Sequence, residues 1–266
     1  MSGVSLKPRA PFAARVDLSG ITPAVTCPLT LRELEHLPVP HGGRSVKLAE
    51  LFFIEGAPDG VLLIEIGDER LDGVGAGMTE GELIVDGRVG AWAGRGLSGG
   101  VLRIAGDAGD FLGAEMSGGR IELAGTAGAR AGAAGSGSRR GLSGGVLKIG
   151  GNAGPRAAER QRGGLIVIAG DAGEGLATDM IAGTVSVAGA IGPLAGRGMK
   201  RGTIIAQARP ELPAGFVDTG VHELVALRLM ARRVAELAGP LNGWTSARRL
   251  VGDTLMGGQG EVLVPG

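Results

Sequence analysis

Along the middle of the chain a short pattern recurs in which a glycine is followed by alternating apolar and variable positions. The copies are Gly81-Glu82-Leu83-Ile84-Val85, Gly100-Val101-Leu102-Arg103-Ile104, Gly119-Arg120-Ile121-Glu122-Leu123, Gly145-Val146-Leu147-Lys148-Ile149, Gly164-Leu165-Ile166-Val167-Ile168, Gly183-Thr184-Val185-Ser186-Val187 and Gly202-Thr203-Ile204-Ile205-Ala206. Their glycines step by 19, 19, 26, 19, 19 and 19 residues, and a weaker copy from Gly60 precedes them by 21. Strand side chains alternate between two sides. The second position (Leu83, Leu102, Ile121, Leu147, Ile166, Val185, Ile204) and the fourth (Val85, Ile104, Leu123, Ile149, Ile168, Val187, Ala206) are wholly apolar and are expected to point inward. The third position is Ile84, Arg103, Glu122, Lys148, Val167, Ser186 and Ile205. It tolerates charge, so it is expected to face solvent or a partner, with Arg103, Glu122 and Lys148 pairing across neighbouring strands.

Each strand is followed by a Gly-x-x-Gly-x-x-x-Gly turn, as in Gly87, Gly90 and Gly94 or Gly106, Gly109 and Gly113; two copies carry Ala158 and Ala177 in the third place. Three residues before each leading glycine stands a further column, Met78, Leu97, Met116, Leu142, Gln161, Met180 and Met199, apolar except at Gln161. The flexible thioethers suit uneven space at a corner. A 19-residue unit cannot bury its own apolar face and must stack on its neighbours. Glycine and β-branched residues oppose a helical repeat. The expected fold is all-β, a right-handed parallel β-helix of seven or eight 19-residue coils, roughly 35 Å long at ~4.8 Å per rung. The one long step holds an insertion around 132–139, read as a flexible excursion from one rung.

The repeat divides the chain into a flanking segment 1–59, a solenoid 60–209 and a tail 210–266. Leu29–Leu34 predicts a short helix stopped by Pro38 and Pro40, and Leu51-Phe52-Phe53-Ile54 a buried strand entering the solenoid. Val221, Leu224, Leu227, Ala231, Val234 and Leu237 fall on one helical stripe that Gly239-Pro240 ends, and such a helix would cap the open end of the solenoid. Residues 258–264 predict a last strand.

Composition changes the picture less than the pattern does. Glycine supplies 53 of 266 residues, about 20% and nearly three times ordinary usage. Its placement is neither collagen-like nor low-complexity, because aliphatic strands lie between the glycines. Lysine and arginine together number 27, as do aspartate and glutamate. No global field therefore draws the chain to nucleic acid or to an anionic membrane. Met1–Val16 lacks the apolar core of a signal peptide and no apolar run reaches membrane-span length. With one cysteine, Cys27, a reducing cytoplasmic setting is expected.

Candidate chemistry is sparse. The sequence holds no Cys/His metal spacing, P-loop, nucleophile elbow or dinucleotide fingerprint. His36, His41 and His222 lie outside the repeat and are read as surface or structural residues, and Cys27 as a small buried hydrophobe. Asp107 and Asp171, with Thr126 and Asn152 in the same column, are read as bonding to turn backbone, since one oxygen side chain per coil is too few for calcium. Arg95, Arg139, Arg140, Arg156, Arg160, Arg162, Arg197, Lys200 and Arg201 fall in the same part of the unit. They are either solvated surface charges or a basic stripe for an acidic ligand or partner. A carbohydrate-active β-helix enzyme would need carboxylate pairs on its outward faces, and the columns supply none.

The turns followed by Met/Leu-x-Gly-Gly-x-apolar strands resemble the glycine-rich β-helix domain shared by the C-terminal part of the glutamate synthase large subunit and by the C subunit of formylmethanofuran dehydrogenase. The length, the segment Leu29-Thr30-Leu31-Arg32-Glu33-Leu34-Glu35-His36-Leu37-Pro38-Val39, Leu51-Phe52-Phe53, and the ending Gly258-Gln259-Gly260-Glu261-Val262-Leu263-Val264 are similar to the stand-alone C subunit rather than to the synthase domain. The resemblance implies a non-catalytic scaffold in a hetero-oligomeric complex with an amidohydrolase-type subunit, a formyltransferase subunit and a further dehydrogenase-like subunit. Such complexes act in tetrahydromethanopterin-linked one-carbon metabolism; in the methylotrophic bacterial version formate is released from a formylated methanofuran-like carrier. Cofactors are expected in partner subunits only: tungsten or molybdenum pterin and iron–sulfur clusters in the archaeal version. The carrier of the family bears a polyglutamate tail, for which Arg197, Lys200, Arg201, Arg95 and Arg140 are the expected contacts. The alternative reading is a structural glutamate-synthase-like domain protein that associates with amidotransferase or flavin subunits.

Overall fold

The computed structural model describes residues 3–223, 225, 229, 231, 232 and 234–266. Among these residues the protein is mostly β, organised around a sheet of 13 strands. From Val4–Pro8 the sheet runs in parallel through Val61–Gly67, Glu82–Gly87, Val101–Ile104, Arg120–Leu123, Val146–Ile149, Arg162–Ile168, Ala182–Val187, Thr203–Ala206 and Gly260–Pro265. Phe52–Gly56 adds an antiparallel edge at one end; Ala247–Gly252 and Val217–His222 add two antiparallel strands at the other.

The repeat fixes the register. Leu83 pairs with Leu102, then Ile121, Leu147, Ile166, Val185 and Ile204 in one unbroken column, and the seven extra residues between Leu123 and Val146 leave it intact. A slip of one residue would turn every apolar column outward. At the turns a second column, Val89, Ala108, Ala127, Ala153, Ala172 and Ile191, forms parallel bridges from rung to rung. The paired glycines before the strands have two distinct causes. A Cβ at Gly99 or Gly118 would overlap the carbonyl of Thr79 or Ser98 in the preceding rung, whereas Gly100 and Gly119 adopt φ of +73° and +66°.

Both predicted inward columns are buried throughout, as is the Met/Leu column. Gln161, the polar member of that column, is fully buried, and its Nε2 donates to the carbonyls of Gly163 at 2.9 Å and Gly164 at 3.2 Å.

The outward column departs from expectation in its second half. Arg103 and Lys148 are exposed, but Val167, Ser186 and Ile205 are buried. The cause is the C-terminal segment, which folds back over this face and packs Leu237, Leu241, Ala247, Val234 and Trp244 against Leu165, Val167 and Ile205 as a second apolar core. Val225, Leu229, Ala231, Arg232 and Ala235–Ala238 are helical, with Val234 extended before the last of these, but Val221 lies in the strand Val217–His222 and not on the expected helix. Leu224 and Leu227 of that expected stripe lie outside the described residues. The predicted last strand is Gly260–Pro265, the next rung after Thr203–Ala206.

In the flanking segment, Leu31–Glu35 is a helix with a Thr30/Glu33 capping box. The strand from Phe52 does not enter the ladder. Val4–Pro8 pairs with Val61–Gly67 instead, and Phe52–Gly56 lies outside it, with Phe52 buried and Phe53 exposed. Cys27 is exposed rather than buried. It caps the short helix Pro23–Thr26, whose inward positions are taken by Pro23 and Thr26. A four-stranded sheet of Arg44–Lys47, Pro38–His41, Val16–Asp17 and Leu71–Asp72 sits beside the first rung.

Candidate functional site

The candidate surface is built at the corners. Each carries residues of positive φ at alternate positions, as at Trp92, Gly94 and Gly96, then Phe111, Gly113 and Glu115, then Arg156, Ala158 and Arg160. The first member of each set forms a column of Gly73, Trp92, Phe111, Arg130, Arg156, Gly175 and Leu194. A bulky residue there costs about 1 kcal/mol over glycine. Trp92 and Phe111 offset that cost by stacking, with centroids 4.0 Å apart and planes 6° from parallel. Arg95 lies over Trp92 at 5.0 Å and Arg130 over Phe111 at 5.5 Å.

The insertion around 132–139 folds against this column. Ala131–Gly135 are buried, and Arg160 donates to the Ser138 carbonyl at 3.1 Å. Burial pushes the Glu115 carboxyl up, but hydrogen bonds from Arg95 and Ser138 and the Arg95 charge outweigh burial and hold it below the ordinary carboxylate range.

The nine basic residues of the expected stripe do not share one environment. Arg95 pairs with Glu115 at 3.0 Å, Arg156 with Glu159 at 2.6 Å and Arg160 with Asp179 at 3.9 Å. Arg139, Arg140, Arg162, Arg197 and Arg201 are exposed or nearly so and make no ion pair among the described residues, while Lys200 donates to the Met256 carbonyl at 2.9 Å. Arg197, Lys200 and Arg201 cluster on the last rungs. Arg95 is five rungs away, ~24 Å at the usual strand spacing.

On the open half of the outer face, Arg103 bonds Glu82 at 2.7 Å and also Glu122; Arg120 bonds Glu122 and Glu236, each at 2.6 Å. The expected cross-rung pairing is therefore present for Arg103 and Glu122, whereas Lys148 makes no ion pair among the described residues. The Arg120 hydrogen bond to Glu236, helped by the Glu236 backbone and by the charges of Arg120 and Lys148, overcomes burial and holds the Glu236 carboxyl below the ordinary range.

The turn carboxylates are structural. Asp107 accepts from the Thr126 N–H at 2.8 Å, Asn152 from Asp171 at 2.8 Å and Asp171 from Ala190 at 2.7 Å, each reaching the next rung. Asp72 and Asp110 do the same for Ala91 and Ala129. The histidines are dispersed. His36 caps its helix through Nδ1 at 2.8 Å from the Arg32 carbonyl, His41 lies in Pro38–His41, and His222 bonds Thr219 at 3.0 Å. Among the described residues no three His, Cys, Asp or Glu side chains are grouped to hold a metal, and no helix is long and apolar enough to cross a membrane.

An open groove of about 730 Å³ lies between Arg15, Glu69 and Arg70 of the first rung's flank and the turns at Arg88–Ala91 and Asp107–Asp110. It carries both charge signs. Its Asp107 and Asp110 are already committed to backbone, so it offers polar contacts and no nucleophile–base pair. Trp92, Phe111, Glu115 and Arg130 are not among the residues expected from sequence. The signal for Trp92, Phe111 and Arg130 is an equal 19-residue spacing in a chain with only two Trp and five Phe; Glu115 carries none.

No protein-family model matches the chain. Over 86 residues, 32% of each chain, it is 40% identical to the C subunit of the formyltransferase/hydrolase complex Fhc of Methylorubrum extorquens. Over 99 residues, 35% of this chain and 37% of the other, it is 33% identical to the C subunit of the tungsten-containing formylmethanofuran dehydrogenase 2 of Methanothermobacter wolfeii. These matches span about a third of the curated relatives. Among solved structures, a chain of the formyltransferase/hydrolase complex (FhcABCD) from Methylorubrum extorquens, crystallised with methylofuran, superposes with a TM-score of 0.93 at 39% identity, covering 98% of this chain and 99% of that one.

Proposed function

The chain belongs to the family formed by the C subunits of formylmethanofuran dehydrogenases and formyltransferase/hydrolase complexes, and on that premise we propose that it is the scaffold of a formyltransferase/hydrolase complex. The near-complete superposition on a chain of FhcABCD carries this reading. In the proposal the catalytic steps belong to an amidohydrolase-type and a formyltransferase subunit. Together with a further dehydrogenase-like subunit they form a hetero-oligomer that releases formate from a formylated methanofuran-like carrier. Any metal or pterin would be held by those partners.

A non-catalytic role is supported by how the polar residues are spent. Turn carboxylates hold neighbouring rungs, and the corner arginines Arg95, Arg130, Arg156 and Arg160 hold Glu115, Glu159 and Asp179. The two parallel ladders, one of strands and one of turn bridges, with hydrogen bonds between every pair of rungs, support winding as a parallel β-helix. Such a rod presents fixed corners to several partners at once.

Arg197, Lys200 and Arg201 are proposed to contact the acidic tail of the carrier, with Arg95 and Arg140 as more distant contacts. Arg197 and Arg201 are exposed and without a carboxylate partner among the described residues, which suits a mobile acidic ligand. The test is formate release by the chain alone and by the co-expressed complex. Activity is expected only with the partners, and charge reversal at Arg197, Lys200 and Arg201 is expected to slow release severalfold without dissociating the complex. Formate release by the purified chain alone would overturn the scaffold reading; unchanged kinetics would remove the carrier contact.

A further inference from the structure

We propose that the Trp92–Phe111 stack, with Arg95, Arg130 and the folded-back insertion, is a docking ridge for an acidic protein surface of a partner subunit. The proposal rests on the complex-subunit reading above and names which part of the rod binds and what chemistry it selects.

Three observations converge. The column in which Trp92 and Phe111 stand accepts glycine at Gly73 and Gly175 with the same backbone conformation, so the fold does not need large side chains there. Both aromatics nevertheless occupy it on adjacent rungs, half-buried, with a guanidinium over each. Tryptophan and arginine are the side chains that most often carry binding energy at protein interfaces.

The second observation is the insertion. The only rung of the 19-residue series that is lengthened puts its extra residues beside this stack, where a Cβ at Gly135 would lie 3.5 Å from the Trp92 ring and 3.1 Å from the Glu115 carboxylate. Insertions in solenoids commonly mark the binding face. The third is charge. Arg95, Arg130, Arg139, Arg140, Arg156 and Arg160 gather around Glu115, Glu159 and Asp179, with Asp110 and Glu174 on the same turns, which leaves one positive charge in surplus and Arg139 and Arg140 without an ion pair among the described residues.

These features choose the occupant. A second copy of the chain would bring like charge against like across a two-fold axis. A small ligand would need a concave site, yet Trp92 and Phe111 line none of the described cavities and stand as a ridge just beyond the groove that ends at Asp110. An acidic protein patch with apolar side chains at its centre satisfies both the exposed parts of the half-buried rings and the guanidiniums of Arg139 and Arg140, which make no ion pair among the described residues.

The experiment measures association of the full-length chain with its co-expressed formyltransferase and amidohydrolase-type partners. Trp92→Gly with Phe111→Gly is expected to weaken association at least ten-fold, and Arg130→Glu at least five-fold, more at low salt than at high salt. Leu194→Gly, in the same column and remote from the stack, is expected to leave it unchanged. If the double glycine variant fails to fold, Arg130→Glu decides alone. Unchanged association in both variants overturns the ridge. So does normal assembly combined with lost binding of poly-γ-glutamate, which would make the ridge a carrier contact. Failure of the unmutated chain to associate with either partner would instead overturn the complex-subunit reading, and the ridge with it.

Discussion

Asp171 illustrates how single residues are committed in this molecule. Its Oδ1 accepts the Ala190 N–H at 2.7 Å, while its own N–H is held by Asn152 at 2.8 Å, so each side chain ties its turn to the next and the two together join three rungs. Asp171→Ala leaves that N–H without its partner at an exposed turn and is expected to cost about 0.5–1.5 kcal/mol, read as a fall of a few degrees in Tm. Asp171→Asn keeps the acceptor, as Asn152 does one rung earlier, and is expected to match the parent. Millimolar calcium or EDTA should move neither Tm; a calcium-dependent shift would restore the metal reading. The turn role is legible in the sequence because Asp107, Thr126, Asn152 and Asp171 share a column. That each oxygen reaches the next rung is not, because spacing alone does not separate local turn bonding from bonding along the stack. Cys27 departs from its expected burial for a related reason, since its environment depends on which face of a four-residue helix meets the core.

Among the elements, the C-terminal segment is the one the sequence disclosed least. An apolar stripe from Val221 to Leu237 fits a helical period, yet Val217–His222 is drawn into the sheet by pairing with Ala247–Gly252. Tertiary pairing overrode the local period at the Val221 end, while Val225, Leu229, Ala231 and Arg232 are helical. The strands of the ladder are legible because each repeats the same register-setting columns. The returning segment has no repeat, and its helix Ala235–Ala238 is positioned instead by Leu237 in the second core and by the Arg120–Glu236 ion pair. Glu236 has a lowered pKa in the fold, so its stabilising contribution is complete above the unfolded value of ~4.3 and is lost as pH falls through the lower folded value. Glu236→Gln is expected to raise hydrogen exchange at Leu237 and Leu241 about five-fold at neutral pH, the equivalent of ~1 kcal/mol for a partly exposed pair. In the parent the same loosening should develop only on acidification below that range. Equal exchange in parent and variant at neutral pH would show that the apolar contacts alone hold the segment.

At the scale of the whole molecule the decisive fact is that one geometrically uniform column lives in two environments. Ile84, Arg103, Glu122 and Lys148 lie on an open face, whereas Val167, Ser186 and Ile205 are roofed by the returning tail. The sequence carried the sign of this change, from charged to apolar between Lys148 and Val167, but the column could be assigned to two environments only once a roof was known. Substitutions along it should therefore have opposite outcomes at positions that the repeat makes equivalent. Ile84→Lys adds a charge to a face that already holds Arg103 and Lys148, and is expected to change stability by less than about 0.5 kcal/mol. Ile205→Lys places an ammonium in an apolar cluster with Leu237, Leu241 and Leu263, and is expected to cost about 2–4 kcal/mol. Thermal or denaturant unfolding of the two variants reads the contrast directly. If both lost the same stability, the tail would not be a roof in solution, and the outer face would be open along the full length of the parallel ladder.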